Sequence, residues 1–177
     1  MHWFVFWALM ACESNNNADV VVQSCGTNAA TADCLKPTMS PEYYVEQAHL
    51  YFNTMDTAED RTIHPDYSAQ VIRWEWPPWL LLTAFGREHI LSTDTLLRAY
   101  PSTIPERDCR FFEQQPFARC RVIFFYDDPE HEGRGCPIYE EFVFNDAGEM
   151  TFIEAWSDLP GHLPMPDSDE WAEGANV

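Results

Sequence analysis

The chain has little positive charge. It contains 10 Lys and Arg residues against 29 Asp and Glu, Lys36 is its single lysine, and the formal net charge is −19 at pH 7. A strongly negative protein repels the phosphate backbone of nucleic acids, and the sequence has no basic cluster that would offset this repulsion. We therefore expect no nucleic-acid partner.

Motifs for metals and cofactors are also missing. The sequence has no Cys-x-x-Cys pair and no His-x-x-x-His pair, the spacings that are typical of structural zinc sites. We expect neither a bound metal nor a cofactor.

Length and composition indicate one domain with short additions. The 177 residues are 46% hydrophobic, which is enough for one core and too little for two ordinary domains. We divide the chain into a signal segment (1–12), a polar tether (13–39), a folded domain (40–158) and an acidic, proline-containing tail (159–177).

The signal segment ends in a cysteine. Residues 1–12 form an apolar run that is typical of secretory signals and too short to span a bilayer. Leu9-Met10-Ala11-Cys12 resembles the bacterial lipobox, in which the cysteine is lipidated and becomes the mature N-terminus. The resemblance implies a lipid-anchored protein of the bacterial cell envelope or a secreted one. An unmodified Cys12 in the mature protein would exclude the anchor.

The other cysteines fit an oxidising compartment. Cys25 and Cys34 could close a short loop in the tether, and Cys109 and Cys120 lie symmetrically about Gln114-Gln115, so they could face each other across a hairpin. Cys136 is then left as a free thiol or as the partner of another cysteine, because spacing alone does not determine connectivity.

The folded domain begins with a helix. Ser40-Pro41-Glu42 provides an N-cap, a proline at the first helical position and an acid in the first turn. Apolar residues then recur at steps of three and four as far as about Met55.

A strand is predicted at residues 70–76. Its alternation predicts a half-buried face with Ile72, Trp74 and Trp76, and an opposite, exposed face with Arg73 and Glu75. The apolar run 79–85 predicts a second strand or a short buried helix, and residues 89–100 have helical spacing.

From Ser102 onward the pattern is that of a sheet. Residues 107–113 and 117–127 predict one hairpin, and residues 137–158 predict another, with Asn145-Asp146-Ala147-Gly148 as its turn. In the second hairpin, alternation places Glu140 and Glu141 on opposite faces, so one of them should point inward. One face of the last strand is expected to carry Met150, Phe152, Glu154, Trp156 and Asp158.

The last hairpin carries a family resemblance. Glu141 to Met150 resembles the acidic, apolar, Asp-x-Gly-Lys-Ile hairpin of the SnoaL-like branch of the nuclear transport factor two-like superfamily, with Glu149 in place of the basic residue and Met150 in place of Ile. Trp156-Ser157-Asp158 resembles the Tyr-aromatic-Asp ending of that family. With the order of helices and strands, the match covers about residues 40–158.

The resemblance implies an α+β fold of the cystatin-like or SnoaL-like type. In such a fold a bent antiparallel sheet packs on helices to form a cone with an internal pocket. Without the resemblance, the pattern predicts only an α+β domain.

The superfamily includes isomerases, hydrolases, cyclases and ligand-binding domains, so the fold does not determine the function. The sequence has no complete catalytic signature of any of these enzymes. We expect a domain that binds a small apolar ligand or a protein partner, and the alternative is a cofactor-independent acid–base enzyme in the same pocket. An exposed outer sheet face in this fold class would allow a homodimer.

Candidate site residues follow from the expected pocket. For acid–base chemistry they are His49, Glu140 and Asp158. The pocket wall is expected to include Tyr44, Trp74, Trp76, Phe142 and Trp156. The tryptophans of residues 74–79 could instead plug one end of the cone.

Overall fold

The computed structural model describes residues 36–76, 83–97, 99, 101–127, 129 and 133–158. The predictions for the signal segment, the lipidation of Cys12, the Cys25–Cys34 pair and the acidic tail lie outside these residues.

The described residues form an α+β arrangement of two helices and six strands, as predicted. The six strands belong to one sheet, in the order β2-β1-β6-β5-β4-β3. The elements are α1 (Pro41–Met55), β1 (Tyr67–Glu75), β2 (Ala84–Phe85), α2 (Arg87–Leu97), β3 (Ser102–Phe111), β4 (Ala118–Tyr126), β5 (Gly135–Phe144) and β6 (Met150–Ser157).

The sheet is mixed, so the prediction of an antiparallel sheet is wrong at one pairing. β1 runs parallel to β6, whereas the other four neighbouring pairs are antiparallel. β1 and β6 are far apart in sequence, and a long connection allows a parallel pairing that a hairpin does not.

The first helix begins where the sequence predicts. The Ser40 side chain accepts a hydrogen bond from the Tyr43 amide at 3.3 Å, and Pro41 is the first helical residue. Arg61 donates to the carbonyl oxygens of Met55 and Asp56 at 2.9 and 3.0 Å. These bonds satisfy backbone acceptors at the end of α1.

Both predicted hairpins are present. β3 pairs with β4, and Cys109 lies opposite Cys120 and forms a disulfide with it. In the β5–β6 turn, Asn145 Oδ1 accepts from the Ala147 and Glu149 amides, and Gly148 has a φ of 81°. A positive φ is a conformation that glycine adopts without steric cost. Cys136 is a half-buried free thiol.

The two faces of β1 are the reverse of the prediction. Arg73 and Glu75 are buried on the side that faces the helices, whereas Trp74 is 36% and Trp76 45% exposed on the other side. The exposed arrangement expected for Arg73 and Glu75 is therefore wrong. The burial of Arg73 is stabilised by Asp94 of α2, a partner that the local alternation of β1 does not reveal.

The side-chain alternation predicted for β6 is interrupted near its start. Met150 lies opposite Phe144 and Phe152 opposite Val143, so β6 has one extra residue where β5 has none. Such a bulge shifts the alternation by one position. As a result Met150 joins Ile153 and Ala155 in the main core, and Trp156 packs with Tyr139 in a separate cluster.

Candidate functional site

A group of polar side chains lies buried between the sheet and the two helices. We call it the inner polar cluster. Each of its members has a relative exposure of 7% or less. Its members are Tyr51 of α1, Tyr67, Arg73 and Glu75 of β1, Asp94 of α2, and Glu140 of β5.

An ion pair joins β1 to α2 within this cluster. Arg73 Nη1 lies 2.7 Å from Asp94 Oδ1, and both side chains are buried. The hydroxyl of Thr54 in α1 has two acceptors for its one proton, the Tyr51 carbonyl at 2.7 Å and Asp94 Oδ2 at 3.1 Å. The guanidinium carbon of Arg73 lies 5.9 Å from the centre of the Tyr51 ring. Side chains from β1, α1 and α2 therefore meet at one point.

Two glutamates of the cluster lie in one row across the sheet. Glu75 of β1 is opposite Ala155 of β6, and Ala155 is opposite Glu140 of β5. Residues paired across strands point to the same side of a sheet. Glu75 and Glu140 therefore lie on the same side of the sheet, on either side of Ala155.

Glu140 has the most unusual environment in this cluster. Burial raises its pKa to about 8, and the negative charges of Glu75 and Asp94 add to this rise, while Tyr51 and Arg73 oppose it. A carboxyl group with this pKa is mainly protonated at pH 7. It can donate or accept a proton close to neutral pH, which is the range that acid–base chemistry requires.

Three oxygens of the cluster have no hydrogen-bond partner among the described residues. They are Tyr51 Oη, Tyr67 Oη and Glu140 Oε2. Tyr51 lies close enough to Glu140 to affect its pKa, but the two do not reach hydrogen-bonding geometry. Burial raises the pKa of both tyrosines well above the usual value, so both remain protonated. Buried polar groups rarely stay without partners, so each such group requires an explanation.

Apolar and aromatic side chains surround the cluster. The Tyr51 ring centre lies 5.2 Å from those of Phe52 and Phe142. Ile90 of α2 and Val71 of β1 are fully buried in the same core. The arrangement combines a few polar groups with apolar walls, which is typical of small-molecule sites.

The three predicted acid–base residues do not lie together. Glu140 belongs to the inner polar cluster. His49 is half-buried on α1 beside Arg107, and burial and the charge of Arg107 lower its pKa. Asp158 pairs with Arg121 at 2.8 Å and borders a surface pocket that Pro137 also lines.

The residues predicted to line the pocket lie on both sides of the sheet. Tyr44 and Phe142 are buried on the helix-facing side. Trp74 and Trp76 are partly exposed on the opposite side, where the Trp76 indole donates to Glu154 at 2.8 Å. Trp156 packs against Tyr139 with ring centres 5.9 Å apart.

Sequence reasoning missed Tyr51, Tyr67, Glu75 and Asp94 as members of a site. Asp94 follows Ile90 by one helical turn, and this spacing places it on the apolar face of α2. A carboxylate on an apolar helix face is a signal for a buried partner. The tyrosines give no comparable signal, because Tyr is common in ordinary cores.

The described part of the chain contains no group of three or more His, Cys, Asp or Glu side chains that could hold a metal ion. Neither of its helices has the length and apolar character needed to cross a membrane.

No family model matches the chain, and no curated protein matches it. The SnoaL-like resemblance therefore stays a prediction.

The pKa of Glu140 predicts how stability depends on pH. The folded state holds the Glu140 proton up to about pH 8, whereas the unfolded chain releases it near the ordinary value of 4.5. The free energy of unfolding should therefore fall as pH rises between these values, by about 1.4 kcal/mol per pH unit from this group. Urea unfolding at pH 5, 6, 7 and 8 measures the fall.

The variant Glu140→Gln should be about as stable as the wild type at pH 5 and clearly more stable at pH 8, because Gln remains neutral. Exposed Glu106 provides the control, since Glu106→Gln should leave the difference between pH 5 and pH 8 unchanged. Folding also lowers the pKa of His49 and raises that of Glu141. Both residues are present in the wild type and in the two variants, so their effects on stability do not distinguish the three proteins. Parallel pH curves for wild type and Glu140→Gln would contradict the raised pKa.

Proposed function

We propose that this chain is an exported, lipid-anchored domain that binds a small, largely apolar molecule carrying one polar group. The binding site would lie at the inner polar cluster, inside a SnoaL-like cone formed by the sheet and the helices. The observation that carries the proposal is the set of three buried oxygens without partners, on Tyr51, Tyr67 and Glu140.

Two further features support binding at this position. The three oxygens come from α1, β1 and β5, so the tertiary fold brings them together and no local motif does. At neutral pH all three groups can act as O–H donors, because the tyrosines and Glu140 are mainly protonated. An acceptor oxygen of a ligand would satisfy them, and the aromatic rings around them would hold its apolar part.

If these hydroxyls serve a ligand, removing them should stabilise the empty protein. Tyr51→Phe and Tyr67→Phe each delete a buried hydroxyl that has no partner, so each should raise the free energy of unfolding by about 1 kcal/mol. Urea unfolding at pH 6 measures both changes.

Tyr44→Phe is the matched control. The Tyr44 hydroxyl accepts hydrogen bonds from the Thr38 and Met39 amides at 2.9 and 3.0 Å. Its removal should lower stability by about 1 kcal/mol. If Tyr51→Phe and Tyr67→Phe also lower stability, both hydroxyls serve the fold and the proposed site is wrong.

A second candidate function is a cofactor-independent acid–base enzyme in the same site. The observation that favours it is the pKa of Glu140, about 8 in a fully buried position. A carboxyl with this pKa is suited to moving a proton on a substrate at neutral pH.

Hydrogen–deuterium exchange on a small ketone tests the enzyme function. At pH 8, where about half of Glu140 is ionised and can act as a base, the wild type should speed exchange of the protons next to the carbonyl of cyclohexanone in D2O, and Glu140→Gln should slow this by about 100-fold. His49→Gln should leave the rate unchanged, because His49 lies away from the cluster. Equal rates with wild type and Glu140→Gln would exclude Glu140 as the base for this probe, and binding would remain the function to test.

A further inference from the structure

Few of the described side chains of helix α2 are buried. Of its residues 87–96, whose side chains are described, only Ile90 and Asp94 are buried. Leu91 is partly buried against the core, and Leu96 is 72% exposed. Among the described side chains of α2, Ile90 and the Asp94 ion pair with Arg73 are therefore its buried anchors, with Leu91 at the edge of the core.

Helix α1 covers the same side of the sheet with a much larger buried surface. Seven of its side chains are buried, among them Tyr44, Tyr51, Phe52 and Met55. Its C-terminal end is also held by Arg61, and Arg107 donates to the side chains of Asn53 and Asp56. Local opening costs less where fewer apolar contacts are lost. Of the two helices, α2 should open first.

The inner polar cluster is closed to solvent. Tyr51 and Arg73 have 0% exposure, Glu140 has 2% and Asp94 has 4%. A molecule that binds the cluster must therefore displace an element that covers it. Asp94 reaches from α2 directly into the cluster, so movement of α2 would uncover Arg73 and the groups beside it.

We propose that α2 is the gate of this interior and that the Arg73–Asp94 ion pair is its latch. The proposal concerns access to the ligand site and in that respect rests on the proposed function. Opening separates Asp94 from Arg73 and from the Thr54 hydroxyl, and closing restores both contacts.

Because opening breaks a buried 2.7 Å ion pair, the latch keeps the empty protein mainly closed. A ligand with an acceptor oxygen can approach the Arg73 guanidinium in the open state. The gate thus opens transiently in the empty protein, and a ligand can enter during these openings.

Native-state hydrogen exchange of the full chain tests the gate without a ligand. Amides of residues 91–94 in α2 should exchange at least about tenfold faster than those of residues 51–54 in α1. Their exchange should depend little on low concentrations of urea, because a local opening exposes little surface. If both helices exchange at one rate with the same urea dependence, they open only by global unfolding and the gate does not exist.

Two variants test the latch. Asp94→Asn should speed exchange in α2 by about tenfold or more, because the ion pair that it weakens is broken when α2 opens. It should also speed exchange of those α1 amides that open by global unfolding, because the pair is lost there too. If that variant does not fold, Thr54→Val removes the second contact to Asp94, together with the 2.7 Å hydrogen bond of the hydroxyl to the Tyr51 carbonyl, and should give a smaller acceleration of exchange in α2. Asp108→Asn is the control, since the Asp108–Arg110 pair is half-exposed and remote from α2.

If Asp94→Asn speeds exchange in α1 and leaves exchange in α2 unchanged, the ion pair survives the opening of α2 and is not its latch. The exchange experiment is also independent of the ligand proposal. A fast-exchanging α2 together with destabilising Tyr51→Phe and Tyr67→Phe would retain the gate and remove the ligand site. Stabilising tyrosine variants with uniform exchange would retain the site and remove the gate.

Discussion

The buried ion pair between Arg73 and Asp94 is the interaction on which the interior depends. Burying two charges is costly unless their geometry is good and further hydrogen bonds satisfy them, and the loss of one partner costs about 3–5 kcal/mol. Here the two charged atoms are 2.7 Å apart, and Thr54 adds a hydrogen bond. The pair thereby fixes β1, α1 and α2 relative to one another at the centre of the domain.

The same low-polarity interior explains why the pKa of Glu140 is raised. Arg73 lies near enough to oppose the rise in the pKa of Glu140, but its short ion pair is with Asp94, and desolvation outweighs its effect. A glutamate buried in this way lowers the stability of the protein near neutral pH. Side chains that cost stability and have a shifted pKa are frequent at functional sites. This loss of stability near neutral pH is a further physical reason to infer a function for the cluster, besides its three oxygens without partners.

The sequence predicts those parts of the fold that depend on local signals. Ser40 and Pro41 define the start of α1, Asn145 and Gly148 define a tight turn, and the spacing of Cys109 and Cys120 places them opposite each other. The faces of β1 could not be predicted, because both faces alternate regularly and hydrophobicity favours the one with Trp74 and Trp76. The charged face is buried because of Asp94, which lies 21 residues from Arg73 in sequence. Likewise, only the register of β1, β6 and β5 brings Glu75 and Glu140 into one row.

The role of the inner polar cluster depends on Glu140 being protonated at neutral pH in a closed interior. Carbon-13 NMR of the Glu140 side-chain carboxyl, assigned by comparison with Glu140→Gln, measures this directly across a pH titration. We expect a midpoint at about pH 8, well above the ordinary value of 4.5. A midpoint close to 4.5 would show that Glu140 is solvated or fully paired, and the inner polar cluster would then not be a site for acid–base chemistry or for a neutral donor.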